Sequence, residues 1–479
     1  MNPTNLLWCF LLLVECAEIA RCLSANAKES LQRAYKGVDL ERQRQRLRNL
    51  GGAVLGNNGT AAESAVPALP VEATNEIIPS NTEDADIPDI NVREGVAEYL
   101  FNGDIILSEK QMAAIERNSA KENSMRKKRQ ASLFSDKWLN NKVYFYFDVT
   151  LADTVKALVR KAHKYISSRT CIDFIENATA TNRVHVFPGA GCYSSLGMTG
   201  GEQDLSLGSN CHDIGIAAHE FMHALGFRHM HTRSDRDQFL KVDLTYVKPD
   251  YVGQFLKADA GETVNYTPYE YGSVMHYAAS VFTTQGYALT PVERRYITSL
   301  GTRVISFLDI KMINDHYKCS AKCGANAAKC ANGGMPNPRN CATCLCTSGY
   351  GGSLCETRPA GCGETLTATS AWKTKTFSFG DSTNTALRDD YTRCHHWVKA
   401  PAGKRPQIRV TKFTKVNCAP GCRQNSMEPR IFANKRVTNP RMCCSWHLNQ
   451  VWTSELNIMP IISYNRISVA TFTFQYRFV

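Results

Sequence analysis

The chain has 479 residues, too many for one ordinary hydrophobic core, and its 19 cysteines argue against a reducing cytosolic setting. The formal net charge is +12, and from Glu356 to the end 18 Lys and Arg stand against 7 Asp and Glu. This basic last quarter either attracts acidic polymers such as matrix polysaccharide or is an ordinary solvated surface. No basic stretch is interleaved with aromatic residues as in nucleic-acid modules, so no nucleic-acid partner is expected.

The amino terminus predicts secretion. Leu6–Val14 is an apolar run too short to cross a bilayer and suited to the core of a signal peptide. Cleavage after Ser24, giving a signal peptide of residues 1–24, would remove three cysteines and leave 16. No later stretch is apolar and long enough for a transmembrane helix, so we expect an extracellular product without a membrane span.

Residues 25–129 predict a pro-segment. They are polar, with prolines, acidic residues and little periodicity, which is typical of a loosely ordered segment. The segment ends in the basic run Arg126–Arg129, which suits a processing protease of the secretory pathway. Cleavage is therefore expected after Arg129.

Strands and a helix are predicted next. The apolar pattern indicates a strand from Lys142, a helix over Leu151–Ser168, and further strands at Cys171 and over Arg183–Phe187.

The sequence HEFMHALGFRH then carries the spacing of a catalytic zinc site. His219 and His223 are four residues apart, so on a helix both imidazoles leave the same face and can bind one ion. Glu220 lies beside the first ligand, where a carboxylate can take a proton from a zinc-activated water. Gly226 allows the chain to leave the helix and return His229 as a third ligand. Three protein ligands leave a position open for catalysis.

Two regions around this motif are expected to lack regular structure. One is a Gly-rich loop between Cys192 and Cys211, and the other is Asn265–Lys318, apart from a final helix over Ser306–Tyr317. The sequence therefore predicts an α/β upper half and an irregular lower half, with zinc in the cleft between them.

Six cysteines within residues 323–355 predict a small module, residues 320–356, that disulfides must stabilise. The pattern C…CANGG…C-x₂-C-x-C-x₈-C resembles an EGF-like module. Cys346 and Cys355 are its candidate disulfide partners. The pairing of the other four stays open: Cys323, Cys330, Cys341 and Cys344.

Residues 362–479 are rich in aromatic residues and end on the alternating TFTFQYRFV, which favours an antiparallel sandwich. Tyr391–Val410 resembles the signature of a CUB domain, with Cys362 and Cys394 as its first bridge. Four more cysteines would supply two further bridges whose pairing stays open: Cys418, Cys422, Cys443 and Cys444.

The run HEFMHALGFRHMHTRSDRD, together with Ser273–Tyr277 (SVMHY), resembles the astacin family of zinc endopeptidases over residues 130–319. The resemblance implies a multidomain α+β protein that carries one Zn²⁺ per chain. It further implies hydrolysis of protein or peptide substrates, with extracellular matrix or cuticle as the expected setting.

The resemblance also assigns roles. Glu220 would be the general base and acid, and the three histidines of the motif would bind zinc. Met275 would lie in a turn beneath the metal, and Tyr277 would be a retractable ligand that stabilises the oxyanion. Phe101–Asp104 (FNGD) matches a pro-segment motif whose aspartate, Asp104, would occupy the open zinc position and keep the zymogen inactive.

The family's bridges map onto Cys171–Cys319 and Cys192–Cys211. One position departs from the family pattern, because Met230 follows the third histidine where a glutamate is usual. A thioether cannot accept an ion pair from a freed amino terminus. Activation would then depend chiefly on removing the pro-segment aspartate from zinc.

Three sequons, at Asn58, Asn177 and Asn265, are candidate glycosylation sites. The alternative function is a catalytically silent matrix-binding protein that acts through its EGF-like and CUB modules. The retained Glu220 argues against it.

Overall fold

A computed structural model describes residues 23–56, 85–119, 131–132, 135–259 and 262–479. Most of the expected signal peptide, the expected cleavage site at Arg129 and the sequon at Asn58 lie outside the described residues. Within the described ranges, no helix is both long and apolar enough to cross a membrane.

Four α-helices lie in the described part of residues 25–129, where the sequence predicts little order. They are α1 Ala25–Ala34, α2 Leu40–Gly56, α3 Ile87–Arg93 and α4 Glu109–Ser119. Their apolar side chains pack against the rest of the protein, and Leu31 and Ile90 are fully buried. The expectation of loose order is wrong for these residues, because tertiary burial stabilises helices that would be marginal alone.

A six-stranded sheet forms the upper half of the central domain. Its strands are β1 Ile105–Ile106, β3 Lys142–Phe147, β4 Asp173–Glu176, β5 Arg183–Phe187, β6 Cys192–Ser195 and β7 Glu202–Leu207. Their order is β1-β6-β7-β5-β3-β4, and every neighbouring pair is parallel except β6 with β7. The Gly-rich loop expected between Cys192 and Cys211 therefore contains two antiparallel strands. The edge strand β1 precedes residue 130 in the chain.

Two helices cover one face of this sheet. Helix α5, Asp153–Ser167, buries Val155, Val159 and Ile166, which recur at helical spacing. Helix α6 spans Ile214–Ala224 and is capped by Asp213, whose carboxylate accepts the Gly215 N–H at 2.6 Å.

The lower half of the central domain has little regular structure, as expected. Its strands form two short ladders, β2 Ala131–Ser132 with β9 Thr263–Val264 and β8 Leu240–Val242 with β10 Leu289–Pro291. Helix α7, Phe307–His316, then closes the domain. Ser306 and Asp309 cap its first turn by accepting each other's backbone N–H groups at 3.0 and 2.8 Å.

The cysteine-rich module of residues 320–356 contains one hairpin, β11 Met335–Asn337 with β12 Asn340–Leu345. Its three disulfides are Cys323–Cys341, Cys330–Cys344 and Cys346–Cys355. These bridges hold a segment too small to be stabilised by a hydrophobic core.

The carboxyl-terminal part is a sandwich of two four-stranded sheets. Its strands are β13 Thr365–Thr367, β14 Lys373–Gly380, β15 Thr392–Lys399, β16 Pro406–Thr414, β17 Asn425–Pro429, β18 Trp452–Thr453, β19 Ile458–Asn465 and β20 Val469–Phe478. The sheet orders are β13-β15-β19-β17 and β14-β20-β16-β18, and only β13 pairs in parallel. Three disulfides lie here: Cys362–Cys394, Cys418–Cys444 and Cys422–Cys443.

The sandwich docks on the central domain through buried polar contacts. The Glu270 carboxylate accepts the Thr438 N–H at 3.0 Å, and the Arg423 guanidinium donates to the Gly301 carbonyl at 2.6 Å. Burial raises the pKa of Glu270 to about 7. The two domains therefore share an interface that contains an ionisable group removed from water.

Candidate metal centre

Three imidazoles converge at a buried site in the central domain. His219 and His223 lie one turn apart on α6, and Gly226, with a φ of 98°, turns the chain so that His229 returns to them. The His219 Nε2 atom lies 3.0 Å from the Nε2 of His223 and 3.2 Å from the Nε2 of His229. The arrangement expected from the sequence is the one that the structure shows.

Backbone carbonyls fix which nitrogen faces the centre. The Nδ1 of His219 donates to the Val274 carbonyl at 2.8 Å, and the Nδ1 of His223 donates to the Phe227 carbonyl at 2.7 Å. Both Nε2 atoms are left with lone pairs that point at one another. Such nitrogens repel unless a cation lies between them, and tetrahedral Zn²⁺ with Zn–N bonds of about 2.0–2.1 Å would separate its nitrogen ligands by about 3.3 Å. The donor set and its spacing therefore fit zinc.

The carboxylate of Asp104 lies inside this histidine cluster. Its Oδ2 is 3.0 Å from the Nε2 of His229 and 3.2 Å from that of His219, and its Oδ1 is 3.4 Å from the Nε2 of His223. Burial alone would raise the pKa of Asp104, but the imidazoles of His229 and His223 outweigh it and hold that pKa well below its usual range. The Asp104 carboxylate thus lies within 3.4 Å of all three imidazole Nε2 atoms.

Glu220 is buried beside the histidines with neither carboxylate oxygen hydrogen-bonded to any described residue. Burial, with a smaller contribution from the Asp104 charge, raises the pKa of Glu220 well above its usual range. A buried carboxylate without a hydrogen-bond partner is uncommon in proteins and is a candidate functional group.

Tyr277 and Met275 lie close to the histidine cluster. The Tyr277 hydroxyl lies 2.8 Å from the Asp104 Oδ2 and also contacts the Asn102 carbonyl, and burial raises the pKa of Tyr277. Met275 is fully buried, and its carbonyl accepts the Met230 N–H at 3.0 Å. The phenol is therefore engaged by Asn102 and Asp104.

Two residues, Asp309 and Asn91, support the site through contacts that could not be predicted from the sequence. Asp309 anchors the turn before Met275, because its carboxylate accepts the Val274 N–H at 3.0 Å and the Ser273 hydroxyl at 2.5 Å. Asn91 links helix α3 to strand β6, since its amide donates to the Cys192 carbonyl at 2.7 Å and accepts the Cys192 N–H at 2.8 Å. Only the tertiary fold brings these partners together.

The remaining candidate residues lie away from the centre. The structure contains the disulfides Cys171–Cys319 and Cys192–Cys211. Asn177 and Asn265 are both half-buried, and their glycosylation stays a prediction.

Comparisons with known proteins give the following matches. Residues 130–318 match the family model described as Astacin, a family of peptidases. The zinc metalloproteinase nas-32 of Caenorhabditis elegans is 38% identical over 458 residues, which are 93% of this chain and 68% of that protein. The zinc metalloproteinase nas-31 of the same organism is 35% identical over 484 residues, which are 95% of this chain and 78% of that protein.

A solved structure also matches part of this chain. High choriolytic enzyme 1, a hatching enzyme zinc-protease from Oryzias latipes (Medaka fish), is 32% identical with a TM-score of 0.36. The alignment covers 38% of this chain and 94% of that one.

Proposed function

Since the chain belongs to the astacin family and is a zinc-dependent metalloendopeptidase, we propose that Glu220 is its general base and that Asp104 keeps the unprocessed chain inactive. The family expected from the sequence is confirmed by these matches. The observation that carries the proposal is the Asp104 carboxylate between three imidazoles, with an unengaged Glu220 beside it.

His219, His223 and His229 would hold one Zn²⁺, with their orientation set by the carbonyl acceptors of the first two rings. Zinc bound there would polarise the scissile carbonyl and make water a stronger nucleophile near neutral pH. Asp104 excludes that water in the unprocessed chain, because its oxygens lie 3.0–3.4 Å from the ligand nitrogens.

Glu220 would move the proton in the reaction. Its oxygens have no other described partner, so they are available to take a proton from the attacking water and to deliver it to the leaving amine. The carboxylate sits on α6 between two zinc ligands, which fixes its position relative to the metal.

Tyr277 would stabilise the oxyanion. In the unprocessed chain its hydroxyl is engaged by Asp104 and the Asn102 carbonyl. Once the pro-segment leaves, the same hydroxyl is free to donate to the tetrahedral intermediate.

We further propose that the chain is secreted, with a signal peptide of residues 1–24, a pro-segment of residues 25–129 and a protease domain of residues 130–319. The hairpin module of residues 320–356 would be EGF-like, and the sandwich of residues 362–479 would be a CUB domain. Eight disulfides in the described residues support an oxidising compartment. Matrix or cuticle proteins are the proposed substrates, and the basic sandwich is the proposed contact for acidic polysaccharide.

The test is hydrolysis of a quenched peptide library by the full chain before and after cleavage at Arg129. We expect chelator-sensitive activity only after cleavage. Glu220→Gln should abolish it while one zinc per chain is retained, whereas Glu176→Gln, on the exposed end of β4, should leave it unchanged. Undiminished cleavage by the Glu220→Gln protein would overturn the assigned role. Absence of any cleavage by the zinc-loaded parent would favour the matrix-binding alternative.

A further inference from the structure

The face of the sheet opposite the zinc helix carries a second buried polar cluster. Along β5 and β7 successive side chains alternate, so that Val184, Val186 and Leu205 pack in the core with α5 and α6. His185, between the two valines, and Asp204, next to Leu205, point to the other face of the sheet and are nearly fully buried. Helix α1 of the pro-segment covers this face.

The side chain of Arg33, on α1, contacts this cluster. The Arg33 Nε donates to the Asp204 Oδ1 at 3.2 Å, and its Nη2 donates to the His185 Nδ1 at 2.8 Å and to the Glu202 Oε1 at 3.4 Å. The guanidinium also lies over the Phe187 ring, 5.6 Å from its centroid. We call the site formed by His185, Phe187, Glu202 and Asp204 the Arg33 pocket.

The pocket places acceptor groups around a guanidinium. The His185 Nδ1 lies 2.8 Å from the Arg33 Nη2 and 3.0 Å from the Asp204 Oδ1, and the His185 Nε2 lies 3.1 Å from the Asp148 Oδ2. Among the described residues, Asp204, with a 6% exposed side chain, contacts the Arg33 guanidinium and the His185 imidazole. Loss of the guanidinium would leave this buried carboxylate without its permanently charged partner, at a cost in free energy.

Apolar side chains surround the pocket and fit a helix. Ala27, Leu31 and Tyr35 repeat at four-residue spacing along and just after α1, and all three are buried. They pack in one cluster with Phe187 and Tyr193 of the sheet. Departure of α1 would therefore expose an apolar strip beside a carboxylate that has lost its arginine partner.

We propose that this face is an exosite that, in the processed enzyme, binds an amphipathic helix of a protein substrate that carries an arginine. The inference rests on the proposed function, because the pro-segment must leave first. A helix fits because the surface buries apolar residues that repeat at four-residue spacing, and an arginine fits because the pocket contacts a guanidinium. The exosite lies on the other face of the sheet from the catalytic groups, so it would select protein substrates without touching the cleaved bond.

A labelled peptide of residues 23–38 serves as the probe, because its sequence fills the site in the intact chain. Full chain cleaved at Arg129 and purified away from the pro-segment should bind the peptide in fluorescence polarisation, whereas the uncleaved chain should not. Arg33→Ala in the peptide should weaken binding about tenfold to hundredfold, since it removes hydrogen bonds to a charged partner. Arg33→Lys should give an intermediate loss, because an ammonium cannot reproduce the planar contacts.

Variants of the enzyme complete the test. Asp204→Asn, or Glu202→Gln if the first variant fails to fold, should weaken the parent peptide but not the Arg33→Ala peptide, while hydrolysis of short peptides stays unchanged. Equal binding of the parent and Arg33→Ala peptides, or no binding to an enzyme that is active on short peptides, would overturn the exosite. Binding of the peptide by a processed chain that cleaves nothing would support the exosite and count against the proposed function alone.

Discussion

Replacing Asp104 by asparagine should partly activate the unprocessed chain. The carboxylate is fully buried, lies 2.8 Å from the Tyr277 hydroxyl and within 3.4 Å of all three imidazole Nε2 atoms. Asparagine keeps the shape but removes the charge. Taking about 3 kcal/mol for a lost contact to a charged group, and about 1.4 kcal/mol per tenfold, the population with an open cleft should rise about a hundredfold.

The assay is hydrolysis of a quenched peptide by full chain that carries Arg129→Ala, so that processing cannot contribute. Activity should stay below that of the processed enzyme, because Ile105 and Ile106 still pair with strand β6 of the sheet. Glu29→Gln is the matched control, since it removes an exposed carboxylate from the same pro-segment and should change nothing. Equal activity of the Asp104→Asn and parent chains at equal zinc content would refute the reasoning.

Three further outcomes are expected. Tyr277→Phe should lower kcat of the processed enzyme about 10²- to 10³-fold with little change in KM or zinc content, and a loss confined to KM would contradict oxyanion stabilisation. Replacing Cys171 and Cys319 by serine opens a loop of 148 residues and should lower stability by up to about 5 kcal/mol in the chain-entropy model, read as a fall in the urea midpoint. Glu270, with a pKa raised by burial to about 7, binds more protons folded than unfolded between about pH 4.5 and 7. Its contribution to stability is therefore largest below pH 4.5 and is lost as pH rises to 7. Relative to the parent, the free energy of unfolding of Glu270→Gln should increase by up to about 3 kcal/mol between pH 5 and 8. A difference that does not depend on pH would refute this assignment.

The zinc centre could be predicted from sequence because its geometry is local. A four-residue spacing places His219 and His223 on one helical face whatever the rest of the chain does, and Gly226 supplies the positive φ that the return to His229 requires. The strand expected over Arg183–Phe187 has the observed bounds for the same reason, since its alternation is visible within five residues.

The helical order of the described residues before 120 could not be predicted, because its cause lies elsewhere in the chain. Helix α1 has ten residues and low apolar content, so it would be marginal in isolation. Leu31 is buried only because Phe187 and Tyr193, more than 150 residues later, form the surface that covers it. Likewise, composition indicates that the eight unassigned cysteines of the two carboxyl-terminal modules pair with one another, but only the fold selects Cys418 with Cys444.

Three charged contacts of residues 23–119 bear on how the proposed activation would proceed. Arg33 contacts Asp204 on the face of the sheet opposite the zinc helix, Asp86 pairs with Arg423 of the sandwich at 3.0 Å, and Asp104 lies among the three histidines. All three precede residue 129, so cleavage at the proposed site after Arg129 would break the covalent link and leave these contacts in place. Release of the proposed pro-segment would then be a dissociation step separate from cleavage. Its rate would depend on the sandwich as well as on the protease domain, because Arg423 belongs to the sandwich.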